Sequence, residues 1–175
     1  LWFVGPGAFR NSGLSGTVAF SEAVWRIEEN AFAGCSGVTE IRFDAEPDEP
    51  VDETPLVIGD QAFANTSIEE ICFPHTLSTL GQYAFLQCLN LERVVFTSEE
   101  APTLVTFSRG SQYMFGWEDD EHEVAIALED TAEGCEQEYI DKWKLSMFGY
   151  LSKEEMAQDM SFNLMIDVMF DWPGE

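Results

Sequence analysis

Imidazole and thiol groups are scarce in this sequence: His75 and His122, with Cys35, Cys72, Cys88 and Cys135. The cysteines form no CxxC pair, and only Cys72, three residues before His75, lies near a histidine, so the paired spacing of a zinc site is missing. His75 follows Phe73-Pro74 and reads as a solvated turn residue. His122 sits within Glu118-Asp119-Asp120-Glu121-His122-Glu123, which reads as an acidic loop. No GxSxG, HExxH, Walker or GxGxxG motif occurs. Carboxylates are so abundant that their pairing points to no acid/base dyad. Asp44-x-Glu46-x-Asp48 alternates acids as a calcium loop does, but it lacks the glycine and distal glutamate of an EF-hand. It also carries Pro47 and Pro50, which suits a flexible acidic loop better than a preformed site. The residues therefore predict a binding function, with no enzyme chemistry, no cofactor and no metal.

The charge narrows the choice of partner. Eight Lys+Arg stand against 33 Asp+Glu, a formal net charge of −25 over 175 residues. Such a field repels phosphate backbones and anionic membranes, which argues against nucleic acid, and it attracts cationic proteins. Its simplest consequence is a soluble monomer. No run of eighteen apolar residues exists to span a membrane. The chain begins at Leu1 inside a pattern, like an excised piece, so the lack of a visible signal peptide excludes no compartment.

That pattern is a repeat, and the repeat must position everything else. Ala-Phe occurs at Ala8-Phe9, Ala31-Phe32, Ala62-Phe63 and Ala84-Phe85, at intervals of 23, 31 and 22 residues. Five residues before each phenylalanine stands an apolar residue: Val4, Ile27, Ile58 or Leu80. Eight or nine residues after it begins a short alternation: Val18-Ala19-Phe20, Ile41-Arg42-Phe43, Ile71-Cys72-Phe73 and Val94-Val95-Phe96. The long interval contains an acidic, proline-rich insertion, Asp44–Pro55. In Ile-x-Phe, period-2 geometry sends the outer two side chains to one face and the middle one to the other. So short a strand cannot bury its apolar face alone; stacked coils bury it by aligning the strands in a parallel sheet. This predicts strands near 17–20, 40–43, 70–73 and 93–96, with Phe9, Phe32, Phe63 and Phe85 in a buried column. Gly34-Cys35, Asn65-Thr66 and Gln87-Cys88 mark the turn back to the sheet.

Three segments, IEENAFAGCSGVTEIRF, IGDQAFANTSIEEICFP and LGQYAFLQCLNLERVVF, resemble the BspA-like leucine-rich repeat. The resemblance covers residues 4 to 97 and implies a leucine-rich repeat solenoid of the α/β horseshoe class, built mostly of short parallel strands. It also implies adhesion or protein binding at a bacterial surface or in secretion, with no catalytic residues to carry over. EGCEQEYIDKWKLSMFGY, from Glu133 to Tyr150, looks like the closing segment that follows such repeats, although the usual Val-Pro is replaced by Ala127-Leu128. Tyr139, Trp143 and Met147 share one helical face, and Ser152 to Glu155 forms a capping box before a second amphipathic helix. The expected organisation is a solenoid over 1–132, about four coils plus an irregular stretch at 100–132, and a helical cap over 133–175.

The open sheet face is where solenoids commonly bind partners. Middle-position residues there would stack as Ala19, Arg42, Cys72 and Val95, and a second row as Thr17, Glu40, Glu70 and Arg93. Adding Asp48, Glu49, Asp52 and Glu53 of the insertion and the acids of 118–123 gives a negative rim around Arg42 and Arg93. A protein partner with a cationic surface is expected; an alternative is an acidic decoy or inhibitor of a basic, nucleic-acid-binding protein. Cys35 and Cys88 would lie two coils, about 10 Å, apart, beyond bridging range, so all four cysteines are expected to be thiols.

Overall fold

The computed structural model describes residues 2–21, 23–44, 54–105 and 124–129, together with 135, 137–139 and 142. Strands β1 (Trp2–Val4), β3 (Val24–Ile27), β5 (Leu56–Ile58), β7 (Leu77–Leu80) and β9 (Thr103–Leu104) form one parallel sheet in that order. Strands β2 (Ser15–Ser21), β4 (Gly37–Asp44), β6 (Glu70–Phe73), β8 (Arg93–Phe96) and β10 (Ala125–Leu128) form a second. The chain visits each sheet once per coil. It is a parallel-strand solenoid of four full coils, with β9 and β10 extending both sheets once more.

The second sheet is the one the Ile-x-Phe alternation predicts, and its four expected strands fall within β2, β4, β6 and β8. In β6, Ile71 and Phe73 are buried while Glu70 and Cys72 are exposed. The first sheet is a finding beyond the sequence reading, which saw only one apolar residue per coil there. Its strands are short and irregular: register shifts fall between Trp2 and Phe3 and between Leu56 and Val57. One extra residue opposite such a step moves the inward pair from i, i+2 to i, i+3. Hence β3 and β7 bury Val24 with Ile27 and Leu77 with Leu80, a spacing that does not read as a strand. The 100–132 stretch, expected to be irregular, supplies β9 and β10.

The Ala-Phe turns make a third hydrogen-bonded wall. Phe9 N–H donates to Ala31 C=O at 2.8 Å, Phe32 to Ala62 at 2.7 Å, and Phe63 to Ala84 at 2.9 Å. The residues two before and two after each phenylalanine have left-handed backbone: Gly7 and Asn11, Asn30 and Gly34, Gln61 and Asn65, Tyr83 and Gln87. Glycine and asparagine occupy five of these eight positions because they tolerate φ > 0. This conformation aims the turn's alternate amides at the next coil. Gly59 and Gly81 serve close approach instead. A Cβ on Gly81 would lie 2.3 Å from the carbonyl carbon of Gly59 and 2.5 Å from the amide nitrogen of Asp60.

Two phenylalanine columns fill the interior. Phe9, Phe32, Phe63 and Phe85 stack with centroids 5.1, 5.6 and 5.4 Å apart. Phe20, Phe43, Phe73 and Phe96 follow at 5.6, 6.3 and 5.4 Å. Phe73 also meets Phe85 edge-on at 6.0 Å, joining the columns. Phe32, Phe63 and Phe85 are buried as expected, but Phe9 is 41% exposed. It ends its column at the first coil, where no described residue covers the outer side of its ring.

At the corner three residues after each phenylalanine stand Ser12, Cys35, Thr66 and Cys88, linked in adjacent pairs. Ser12 Oγ and Cys35 Sγ are 3.4 Å apart, and Thr66 Oγ1 and Cys88 Sγ 3.2 Å. Cys35 donates to Phe9 C=O and Cys88 to Phe63 C=O. None of the four cysteines is in a disulfide, as the coil register requires. Of the expected cap, residues 137–139 and 142 have helical backbone. Tyr139 is buried against Phe96, ring centroids 5.7 Å apart, and its hydroxyl donates to Ser98 C=O at 2.7 Å. The rest of the predicted helices, with Trp143, Met147 and the capping box at 152–155, lies outside the described residues.

Candidate binding face

The outer face of the second sheet carries the residues singled out from the sequence, in the predicted register. Thr17 pairs with Glu40, Glu40 with Glu70, and Glu70 with Arg93. Thr17 Oγ1 donates to Glu40, Arg93 donates to Glu70 at 3.0 Å, and Arg93 also bonds Glu129 just beyond β10. In the other row Ala19 pairs with Arg42 and Cys72 with Val95. Arg42 reaches Asp44 on its own strand at 3.4 Å. Glu40, Arg42, Glu70, Cys72 and Arg93 thus share one face, as expected.

Val95 does not join the exposed surface. Its register places it beside Cys72 and Ala127 on the same side of the sheet, yet it is only 1% exposed. Alternation assigns a side of the sheet; whether that side meets water depends on what the fold lays over it. Asp48, Glu49, Asp52 and Glu53, the acids of 118–123 and the candidate calcium alternation beyond Asp44 lie outside the described residues.

Both arginines are held by carboxylates. The Glu129 hydrogen bond is the main reason Arg93 is more basic than usual, with the charges of Glu129 and Glu70 adding to it. Against Arg42 and Arg93 stand Glu40, Asp44, Glu70 and Glu129, so the face is net negative. Glu40 and Glu70 lie directly opposite each other, a like-charge arrangement that disfavours the sheet. Glu70 is relieved by Arg93; the bond described for Glu40 comes from a hydroxyl.

Next to this pair the sheet opens. β4 and β6 are paired at Glu40↔Glu70 and Ile41↔Ile71. Beyond those positions β4 runs on to Asp44 and the two strands part. The cleft between them, about 880 Å³, is lined by Glu40, Arg42, Asp44, Glu70, Cys72 and His75, among others. The split falls where the repeat interval lengthens, because the chain leaves β4 at Asp44 for the insertion. Asp44 could have been found in the sequence by continuing the alternation of β4. Glu129 could not, since nothing marked β10 as a strand.

Among the described residues no three His, Cys, Asp or Glu side chains are grouped to hold a metal ion. No helix there is long and apolar enough to cross a membrane. What the face offers is a charged, largely flat surface with one groove. The family model of the BspA type leucine rich repeat region matches residues 3–108 in six copies. No curated protein and no solved structure gives a match.

Proposed function

From its membership of the BspA-type leucine-rich repeat family, to which this chain belongs, we infer that it is a protein-interaction module whose binding face is the outer side of the second sheet. Repeats of this family suggest protein binding, and the family is associated with bacterial surface proteins. On this reading the module is non-catalytic, acts in adhesion at a cell surface or in the extracellular space, and takes a protein partner with a cationic patch. The observation that carries it is the charge arrangement of the face: Asp44 neutralises Arg42, Glu70 and Glu129 more than neutralise Arg93, and Glu40 adds a further carboxylate beside the cleft. A lysine- or arginine-bearing surface would meet attraction there, and an anion would not. The acidic insertion, with Asp48, Glu49, Asp52 and Glu53, adds long-range attraction by its charge alone.

The test begins with pull-down against host matrix proteins and cationic enzymes, followed by kinetics on whatever partner is captured. Electrostatic steering acts on encounter, and the Debye length is only about 8 Å at physiological salt. Raising salt severalfold should therefore slow association much more than it changes dissociation. Glu40→Gln with Glu70→Gln should weaken binding at little cost in stability, because it removes a like-charge pair together with one exposed ion pair, and Arg93 keeps Glu129. Affinity that ignores both salt and these substitutions rules the reading out. The decoy alternative makes a different demand: the partner must be a nucleic-acid-binding protein, and this chain must compete with nucleic acid for it.

A further inference from the structure

The cleft between β4 and β6 has a cause in the backbone as well as a lining of side chains. Thr39 C=O accepts from Glu69 N–H at 3.3 Å, so Thr39 turns its peptide groups towards β6. Every second residue of a strand turns the same way, which assigns Ile41 and Phe43 to that side. On β6, Glu69 and Phe73 turn away from β4. Glu69 C=O accepts from Glu92 N–H at 2.8 Å, and Phe73 C=O from the Thr97 hydroxyl at 2.9 Å. Cys72 and Pro74 therefore face β4. The step after Ile41↔Ile71 would bring Phe43 C=O to the nitrogen of Pro74, which carries no hydrogen. Among the described residues pairing stops there, while β4 stays joined to β2 through Phe20↔Phe43 and Ser21↔Asp44. The core registers the gap. Phe43 and Phe73 stand 6.3 Å apart, the widest step of their column, and Phe43 is half-buried where Phe73 and Phe96 are buried.

An open stretch of strand edge above two aromatic rings is a place for one more strand. In such a strand one side chain goes inward onto Phe43 and Phe73, and its two neighbours go outward. The outward pair meets Glu40 and Glu70 at the closed end of the cleft and Asp44 at its rim, where Arg42 is already engaged by Asp44. We propose that the cleft takes a short extended segment of the partner protein, in which lysine or arginine alternates with apolar residues, added as a strand beside Phe43. The proposal rests on the reading of the outer face as a surface for a cationic protein, and it specifies the form in which the cations are delivered. The chain's own insertion is the nearest rival occupant, and its charge argues against it. It brings Glu46, Asp48, Glu49, Asp52 and Glu53 with no lysine or arginine, so it would set acid against Glu40 and Glu70.

The probe is an acetylated and amidated peptide of alternating lysine and valine, titrated into the full chain. Affinity is read by calorimetry and the site by amide hydrogen exchange in NMR. Binding that slows exchange at the Phe43 amide is expected. A second peptide, N-methylated at its central residue, keeps the charges and side chains but loses strand hydrogen bonds. It should bind at least about tenfold more weakly. A third, of alternating glutamate and valine, should not bind. Four results overturn the proposal: no binding of the lysine peptide, equal affinity for either control peptide, protection only at amides other than Phe43, or a Phe43 amide already protected before any peptide is added. The last would mean that the insertion or another segment of the chain fills the cleft. None of the four decides the wider reading, which stands or falls on the salt dependence and the Glu40 and Glu70 substitutions measured with a captured partner.

Discussion

Each coil is held by residues with narrow tolerances. Gly81 stacks directly on Gly59, and a methyl group there would lie 2.3 Å from backbone that cannot rotate away. Gly81→Ala should cost about 2–3 kcal/mol by forcing two coils apart, read from chemical denaturation. The corner thiol and the terminal tyrosine predict the alkaline limit. Burial is the main cause holding the Cys88 thiol above its ordinary value of 9.0, although its hydrogen bonds to Thr66 pull the other way. Burial, assisted by the charges of Cys135 and Glu138, raises Tyr139 well above 10.0. Both groups are neutral in the fold, with folded pKa values above the unfolded ones. Their contribution is complete below the unfolded values and is lost as pH rises towards the folded ones. Stability should therefore hold near neutrality and decline as pH passes 9.0 and then 10.0. Cys88→Ser should remove the first decline and Tyr139→Phe the second, measured as denaturation midpoint against pH.

At the level of the element, neither a strand nor a turn is stable by itself, and stacking supplies what each lacks. Phe63 is fully buried between Phe32 and Phe85, so Phe63→Ala should cost roughly 3–5 kcal/mol. Phe9 stacks on Phe32 alone in its column and is 41% exposed, so Phe9→Ala should cost less than half as much. Equal losses at both positions would mean that the Phe9 ring is covered in solution.

Across the whole molecule, charge and core act on different scales. The core is a continuous row of stacked rings and aliphatic side chains, and the net charge of −25 opposes compaction. Moderate salt should therefore raise the melting temperature at a fixed protein concentration, seen by calorimetry. The same addition should slow encounter with a cationic partner. These two signs together separate general screening from a specific binding face.

The repeat, the second sheet's strands and register, the thiol state and the acidic character of the outer face were all legible in the sequence. Each rests on a local periodicity or on a net charge, and neither needs coordinates. Glu40 beside Glu70 beside Arg93 follows from equivalent positions in successive coils. The first sheet was not legible, because its bulges replace the spacing of two by a spacing of three and hide the strands. Nor was the burial of Val95, since alternation chooses a side of the sheet and other segments decide whether that side is covered. The cleft between β4 and β6 and the Glu129 bond to Arg93 likewise required tertiary structure. Both bring together residues whose nearness depends on where an insertion leaves one strand and where a distant strand joins the edge of the sheet.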